Sequence, residues 1–127
     1  MKVYEALARA FAAEGTTAVF DMMGDANMYW LNALSELGVG IYDVRHEGAG
    51  LAMADGWARV SGEPGVCSTT SGPGTTQLAT TMVVAGRART PLVAFCGDTA
   101  SEGYDAQHFD QERFAAAVEA GFVRLDG

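Results

Sequence analysis

The sequence predicts an α/β fold, a three-layer domain with a central parallel sheet and helices on both faces. Three observations predict it. Short β-branched or apolar runs alternate with longer stretches of helical periodicity along the whole chain. The run 91–95 is almost wholly apolar, as a strand buried on both faces should be. The polar residues that could do chemistry fall in segments directly after strand-like runs, and in a parallel sheet those segments share one end.

Taken in order, Val3, Leu7, Ala10 and Phe11 recur at helical spacing, with Gly15 as a stop. Thr17 to Phe20 is a strand, and 21–25 is a loop at its carboxyl end. Ala26 to Leu37 is a helix with Trp30, Leu31 and Leu34 on one face. Gly40 to Val44 is a second strand. His46 to about Ser61 is a helix of mostly small side chains, closed by a turn through Pro64. Val66 to Thr70 is a third strand. Ser71-Gly72-Pro73-Gly74 is a tight turn leading into one helix that ends near Arg87. Pro91 to Phe95 is a fourth strand and 97–108 a polar loop. Asp110 to Ala120 is a helix, and Phe122 to Leu125 a last strand.

Composition narrows the class. The chain has 127 residues, enough for one core. Its net charge of −8 argues against nucleic acid or an anionic membrane as partner. No apolar run approaches the ~20 residues of a membrane span. The start, Met1 to Leu7, lacks the apolar core of a secretory signal, so the expected location is cytoplasmic. Cys67 and Cys96 lie in separate strands and are expected to be small buried residues rather than a disulfide. No His or Cys pair has metal-ligand spacing, so no metal site is expected in this chain.

Glu47 stands out. It heads a helix, where a negative charge is favoured by about 0.3–1 kcal/mol. Glu47, Leu51, Ala54 and Ala58 share one helical face. A carboxylate heading such a stripe is expected to be partly desolvated and able to share a proton with a ligand. Gly48, Ala49, Gly50 and Ala52 let another surface come close. The turn 71–74 has glycines for close backbone approach, and its N–H groups could hold an anion. It is not a phosphate-binding P-loop, because no Gly-x-x-x-x-Gly-Lys is present, and there is no Gly-x-Ser-x-Gly elbow.

Arg45-His46-Glu47, with Ala-Met-Ala-Asp-Gly-Trp-Ala-Arg after it, resembles the glutamate helix of thiamine-diphosphate-dependent enzymes. The nearest group is the acetolactate synthase, pyruvate oxidase and benzoylformate decarboxylase type. Gly65 to Gly74 is similar to that family's next strand and turn, Phe20 to Asn27 to its first loop, and Gln107-His108-Phe109-Asp110-Gln111 to its glutamine-bearing segment. The motifs stand in family order and cover essentially the whole chain, residues 1–127. The resemblance implies the N-terminal pyrimidine-binding (PYR) domain.

It further implies thiamine diphosphate as cofactor and a small 2-oxo acid as substrate, decarboxylated or carboligated. Glu47 would be the catalytic glutamate, bonded to the aminopyrimidine ring and relaying one proton. Gly24, Thr70, Gly72, Pro73 and Gln77 would contact the cofactor; Gln107 and His108 would face the substrate. Two departures are visible. Gln77 stands where the family often has Asn, and Met22-Met23 replaces a commoner Val-Pro. The Gly-Asp-Gly…Asn motif that binds diphosphate and Mg²⁺ does not occur; Gly97-Asp98-Thr99 belongs to the fourth-strand loop. The resemblance thus implies a diphosphate-binding (PP) domain or subunit as partner, inactivity of this chain alone, and a PYR domain short of its last strand–helix unit. The small exposed residues of the glutamate helix predict a homodimer or higher oligomer. Two other functions fit the residues: a non-catalytic assembly or regulatory module of the same fold, and an anion-binding domain built on the 71–74 turn.

Overall fold

The computed structural model describes residues 1–99 and 106–125. The element order is α1 (Val3–Ala13), β1 (Ala18–Asp21), α2 (Met28–Glu36), β2 (Gly40–Asp43), α3 (Glu47–Ser61), β3 (Gly65–Thr69), α4 (Pro73–Thr76), α5 (Ala79–Ala88), β4 (Leu92–Cys96) and α6 (Gln111–Ala117). The four strands form one parallel sheet in the order β2-β1-β3-β4. All four carboxyl ends therefore lie on one side, and the loops after them converge there.

Alternation along the strands splits the core in two. On one face Val19 and Val66 meet Ala8 of α1 and Trp30, Leu31 and Leu34 of α2. On the other face Ala18, Phe20 and Cys67 meet Leu51 and Ala54 of α3 and Leu78. Trp30 stacks on Phe95 of β4 at a centroid distance of 3.9 Å, and Phe11 meets both rings edge-on. Leu51, Ala54 and Ala58 are buried, so the stripe below Glu47 faces the sheet as its spacing required. Among the described residues no helix is long and apolar enough to cross a membrane.

Three expected elements differ. The single helix after the 71–74 turn is two, because Gln77 and Leu78 bond back only three residues, to Gly74 and Thr75. That tighter turn drops Leu78 fully into the core. The last helix stops at Ala117, since Glu119 turns left-handed at φ 59°. Residues 121–125 form no strand. A strand needs a ladder partner, and this segment has none among the described residues. It is tied instead by Arg124 to Asp98 at 2.9 Å, with Val123 exposed.

One core position is at odds with its surroundings. Asp21, the last residue of β1, is fully buried, and neither carboxylate oxygen has a hydrogen-bond partner among the described residues. Burial, and next the charge of Asp43 in the adjoining strand, push its carboxyl up to about 6.

Between about pH 4 and pH 6 the folded chain keeps this proton and the unfolded chain loses it. Stability is therefore expected to fall as pH rises through that window, by on the order of 3 kcal/mol, and to level off above it. Urea unfolding across the window checks this, and Asp21→Asn should lack that component of the slope. Two glycines give a second check. A Cβ on Gly65 would run into the backbone oxygen of Ala54, whereas one on Gly56 meets nothing. Gly65→Ala should lower stability markedly, and Gly56→Ala, in mid-helix, should raise it by about 0.5–1 kcal/mol. Urea midpoints moving together would refute the close β3–α3 packing.

Candidate functional site

Glu47 begins α3 because the residue before it caps the helix. His46 is extended, with φ −158° and ψ 135°, and its Nδ1 accepts the backbone N–H of Gly48 at 3.1 Å. His46 is thus held as a helix cap. Gly62, at φ 76°, closes the far end of the helix. The Glu47 side chain is half-buried, and no hydrogen bond or ion pair reaches its carboxylate among the described residues.

Its neighbour is the turn after β3. A Cβ on Gly74 would lie 3.2 Å from Glu47 Oε1, and one on Gly48 would lie 3.0 Å from the backbone oxygen of Gln77. Two glycines, one on each partner, therefore let α3 and the α4–α5 junction meet at the carboxylate. Ser71, Gly72, Gly74 and Thr75 are buried, while Pro73 is exposed at the first position of α4. α4 is only four residues long and Gly72 enters it at φ 60°. The turn is a packed wall beside Glu47 rather than the mouth of a helix open to an anion.

The other loops close on the same turn. A Cβ on Gly24 would meet the Thr70 side chain 2.6 Å away, so the first loop lies directly on Thr70. Gly24 is fixed by its neighbour Asn27, whose Oδ1 accepts the Gly24 N–H at 2.8 Å. On the other side, a Cβ on Gly72 would run into the backbone oxygen of Gln107. Ser71 Oγ donates to Gln107 Oε1 at 3.0 Å. Buried Gln111 donates from Nε2 to the Gly97 carbonyl at 2.7 Å and accepts from Thr75 Oγ1 at 3.5 Å.

The structure so brings Gly24, Glu47, Thr70, Gly72, Pro73 and Gln107 to one end of the sheet. Gln77 comes only in part, since its backbone approaches α3 while its side chain is exposed. His108 is exposed next to Gln107. The middle of the expected 97–108 loop, residues 100–105, lies outside the described residues. Sequence reasoning passed over Gly74, the glycine nearest the carboxylate, and Gln111, the residue that ties the last loop down. Gln111 lies four residues after Gln107, a helical spacing that could have signalled a second contact with the same turn.

The cysteines stay structural. Both thiols are free, and burial pushes that of Cys67 up to about 12 and that of Cys96 upward. Neither is a thiolate near neutral pH.

A half-buried carboxylate without a hydrogen bond among the described residues, walled by glycines and backbone, has acceptor capacity left for a ligand. Comparison with known proteins points the same way. Residues 1–118 match the family described as thiamine pyrophosphate enzyme, N-terminal TPP binding domain. A probable acetolactate synthase large subunit of Methanocaldococcus jannaschii is 40% identical over 108 residues, covering 84% of this chain and 18% of that protein. The acetolactate synthase isozyme 3 large subunit of Escherichia coli is 40% identical over 105 residues, with 80% and 18% covered. A sulfoacetaldehyde acetyltransferase of Castellaniella defragrans is 34% identical over 109 residues, with 86% and 18% covered. The chain thus spans about a fifth of the length of these relatives. With the family matched across most of its length and the carboxylate site assembled in the matched region, the chain belongs to the thiamine pyrophosphate enzymes, as their N-terminal TPP-binding domain.

Proposed function

We propose that this chain is the pyrimidine-binding part of a thiamine-diphosphate-dependent 2-oxo acid decarboxylase or carboligase of acetolactate synthase type. The observation that carries the reading is the Glu47 carboxylate, half-buried at the head of α3, without a hydrogen bond among the described residues, and set against Gly74. Glu47 would hydrogen-bond the aminopyrimidine ring and share the proton that activation of the cofactor requires. When bound, thiamine diphosphate supplies the carbanion chemistry on the 2-oxo acid. Gly24, Thr70, Gly72, Pro73 and the Gln77 backbone would shape the wall that holds the ring. Gln107, bonded by Ser71, and its neighbour His108 would face the substrate.

Of the segments that meet here, 21–25, 70–77 and 106–111 contain neither Lys nor Arg, and the Glu47 segment 45–48 contains a single one, exposed Arg45. The cofactor's diphosphate, with its Mg²⁺, is assigned to a diphosphate-binding domain or subunit outside this chain. The chain alone is then inactive, and its share of the relatives' length supports that division of labour.

The test uses the chain together with its diphosphate-binding partner. Glu47→Gln should lower 2-oxo acid consumption by about 10²–10⁴-fold, while calorimetry still detects binding of the Mg²⁺-loaded cofactor to the pair. Unchanged turnover in Glu47→Gln would favour a non-catalytic assembly or regulatory module. No cofactor binding to the pair would remove the enzyme reading altogether.

The outer side of α3 supports self-association. Ala49, Ala52, Met53, Gly56 and Val60 are all exposed there, a small and apolar strip. Light scattering at micromolar concentration is expected to give a dimer or larger species, and Ala52→Arg to reduce its mass. A monomer in both cases would refute the interface.

A further inference from the structure

We propose that the protonation state of Asp21 controls how firmly the first loop, residues 22–24, is held against Thr70, so that the candidate site tightens in mild acid and loosens toward neutral pH. The coupling is a property of the loop, whatever the site binds.

The sheet register places Asp43, Asp21, Ser68 and Phe95 side by side across all four strands. Strand alternation puts Asp21 on the same face as Val19, the face covered by α2. The polar side chains bonded nearby are already committed, and the Trp30 Nε1 donor of α2, buried without a partner among the described residues, does not bond it. The Asn27 amide donates to the Met22 carbonyl at 3.2 Å and to Ser68 Oγ at 2.9 Å. The Ser68 hydroxyl donates to the Phe95 carbonyl at 2.9 Å. The Asp21 carboxylate has no partner, although its backbone is clamped to both flanking strands: its carbonyl accepts from Val44 N at 2.8 Å, and Met22 N donates to Ser68 O at 3.1 Å.

No cation relieves it either. Residues 17–43, which comprise β1, the first loop, α2 and β2, contain no Lys, Arg or His, and neither does β3. The titratable groups on these elements are Asp43 beside it, exposed Asp25 in the loop, Tyr29 and Glu36 exposed on α2, exposed Tyr42 of β2 stacked on Phe20, and the Cys67 thiol on the opposite face. A neutral Asp21 is tolerated here. An ionised one is a buried charge beside a second carboxylate, with no donor bonded to it among the described residues, and the structure must open to hydrate it. The strand ends are tied by ladder bonds. The loop's first residue is tied to β3 by Met22 N on the Ser68 carbonyl; beyond it the loop is held at its α2 end, by the Asn27 side chain and by Asn27 N and Met28 N on the Gly24 carbonyl, and by the seat of Gly24 on Thr70. It is the part that yields.

The experiment is an NMR titration of the chain from about pH 4 to about pH 8, following the Asp21 side-chain carboxyl and the amides of Gly24 and Thr70. All three should shift together with a single one-proton midpoint. In Asp21→Asn the two amides should stop responding. Asp43→Asn, a change at an exposed position, should keep the response and move its midpoint to lower pH. Titration of the Asp21 carboxyl with Gly24 and Thr70 unmoved would overturn the proposal. So would amides that respond unchanged in Asp21→Asn. If Asp21→Asn does not fold, an Asp43→Asn midpoint identical to that of the unaltered chain would overturn it equally.

Discussion

The close approach of α3 to the β3–α4 turn is the constraint on which the rest of the site depends. It exists because two positions lack a side chain. Gly48 lets the head of the helix reach the Gln77 carbonyl, and Gly74 lets the Glu47 carboxylate lie against the turn. A Cβ at Gly48 would press on the Gln77 backbone, and one at Gly74 would push the Glu47 carboxylate aside by a few tenths of an ångström. Leu51, Ala54 and Ala58 hold the helix down from below, with side chains small enough for it to lie close to β3. The carboxylate is therefore aimed by packing along the helix and by absence of bulk at its tip.

Around that contact the other loops are fastened in two ways. Gly24 lies on Thr70, and Gly72 lies under the Gln107 backbone, so the same device of a glycine facing a crowded neighbour is used twice more. Polar side chains complete it. Asn27 binds the first loop to β3, while Gln107 and Gln111 bind the last loop to Ser71 and Thr75. Most of these bonds lie at the carboxyl ends of the strands, where the ladder stops and backbone groups need partners. Glu47, left out of this network, is the group with capacity to spare for a ligand. Asp21 is left out as well, but it is sealed from solvent, so its spare capacity becomes sensitivity to protons instead of binding.

Much of this was legible from residue order. Alternating runs gave the layers, and the spacing of Glu47, Leu51, Ala54 and Ala58 named the face that α3 buries. The motif at 70–74 marked the turn that meets it. The misreadings have local causes. The break at Gln77–Leu78 follows from Leu78 being drawn into the core, a tertiary demand that helical propensity does not register. The apolar run Phe122 to Leu125 looks like a strand, but apolar content makes a strand only where a ladder partner is available.

The sequence by itself determined the fold class, the order of the loops and the place of Glu47 at the head of α3, because these depend on periodicity and on local backbone preference. Tertiary structure decided which glycine touches that carboxylate, that the Gln77 backbone rather than its side chain faces α3, and that Gln111 anchors the final loop. It also decided that Asp21, an ordinary loop-end acid when read along the chain, is buried next to Asp43 with no donor. Each of these depends on which residues from distant segments come within a few ångströms, a matter of sheet register and close packing that no single stretch of sequence encodes.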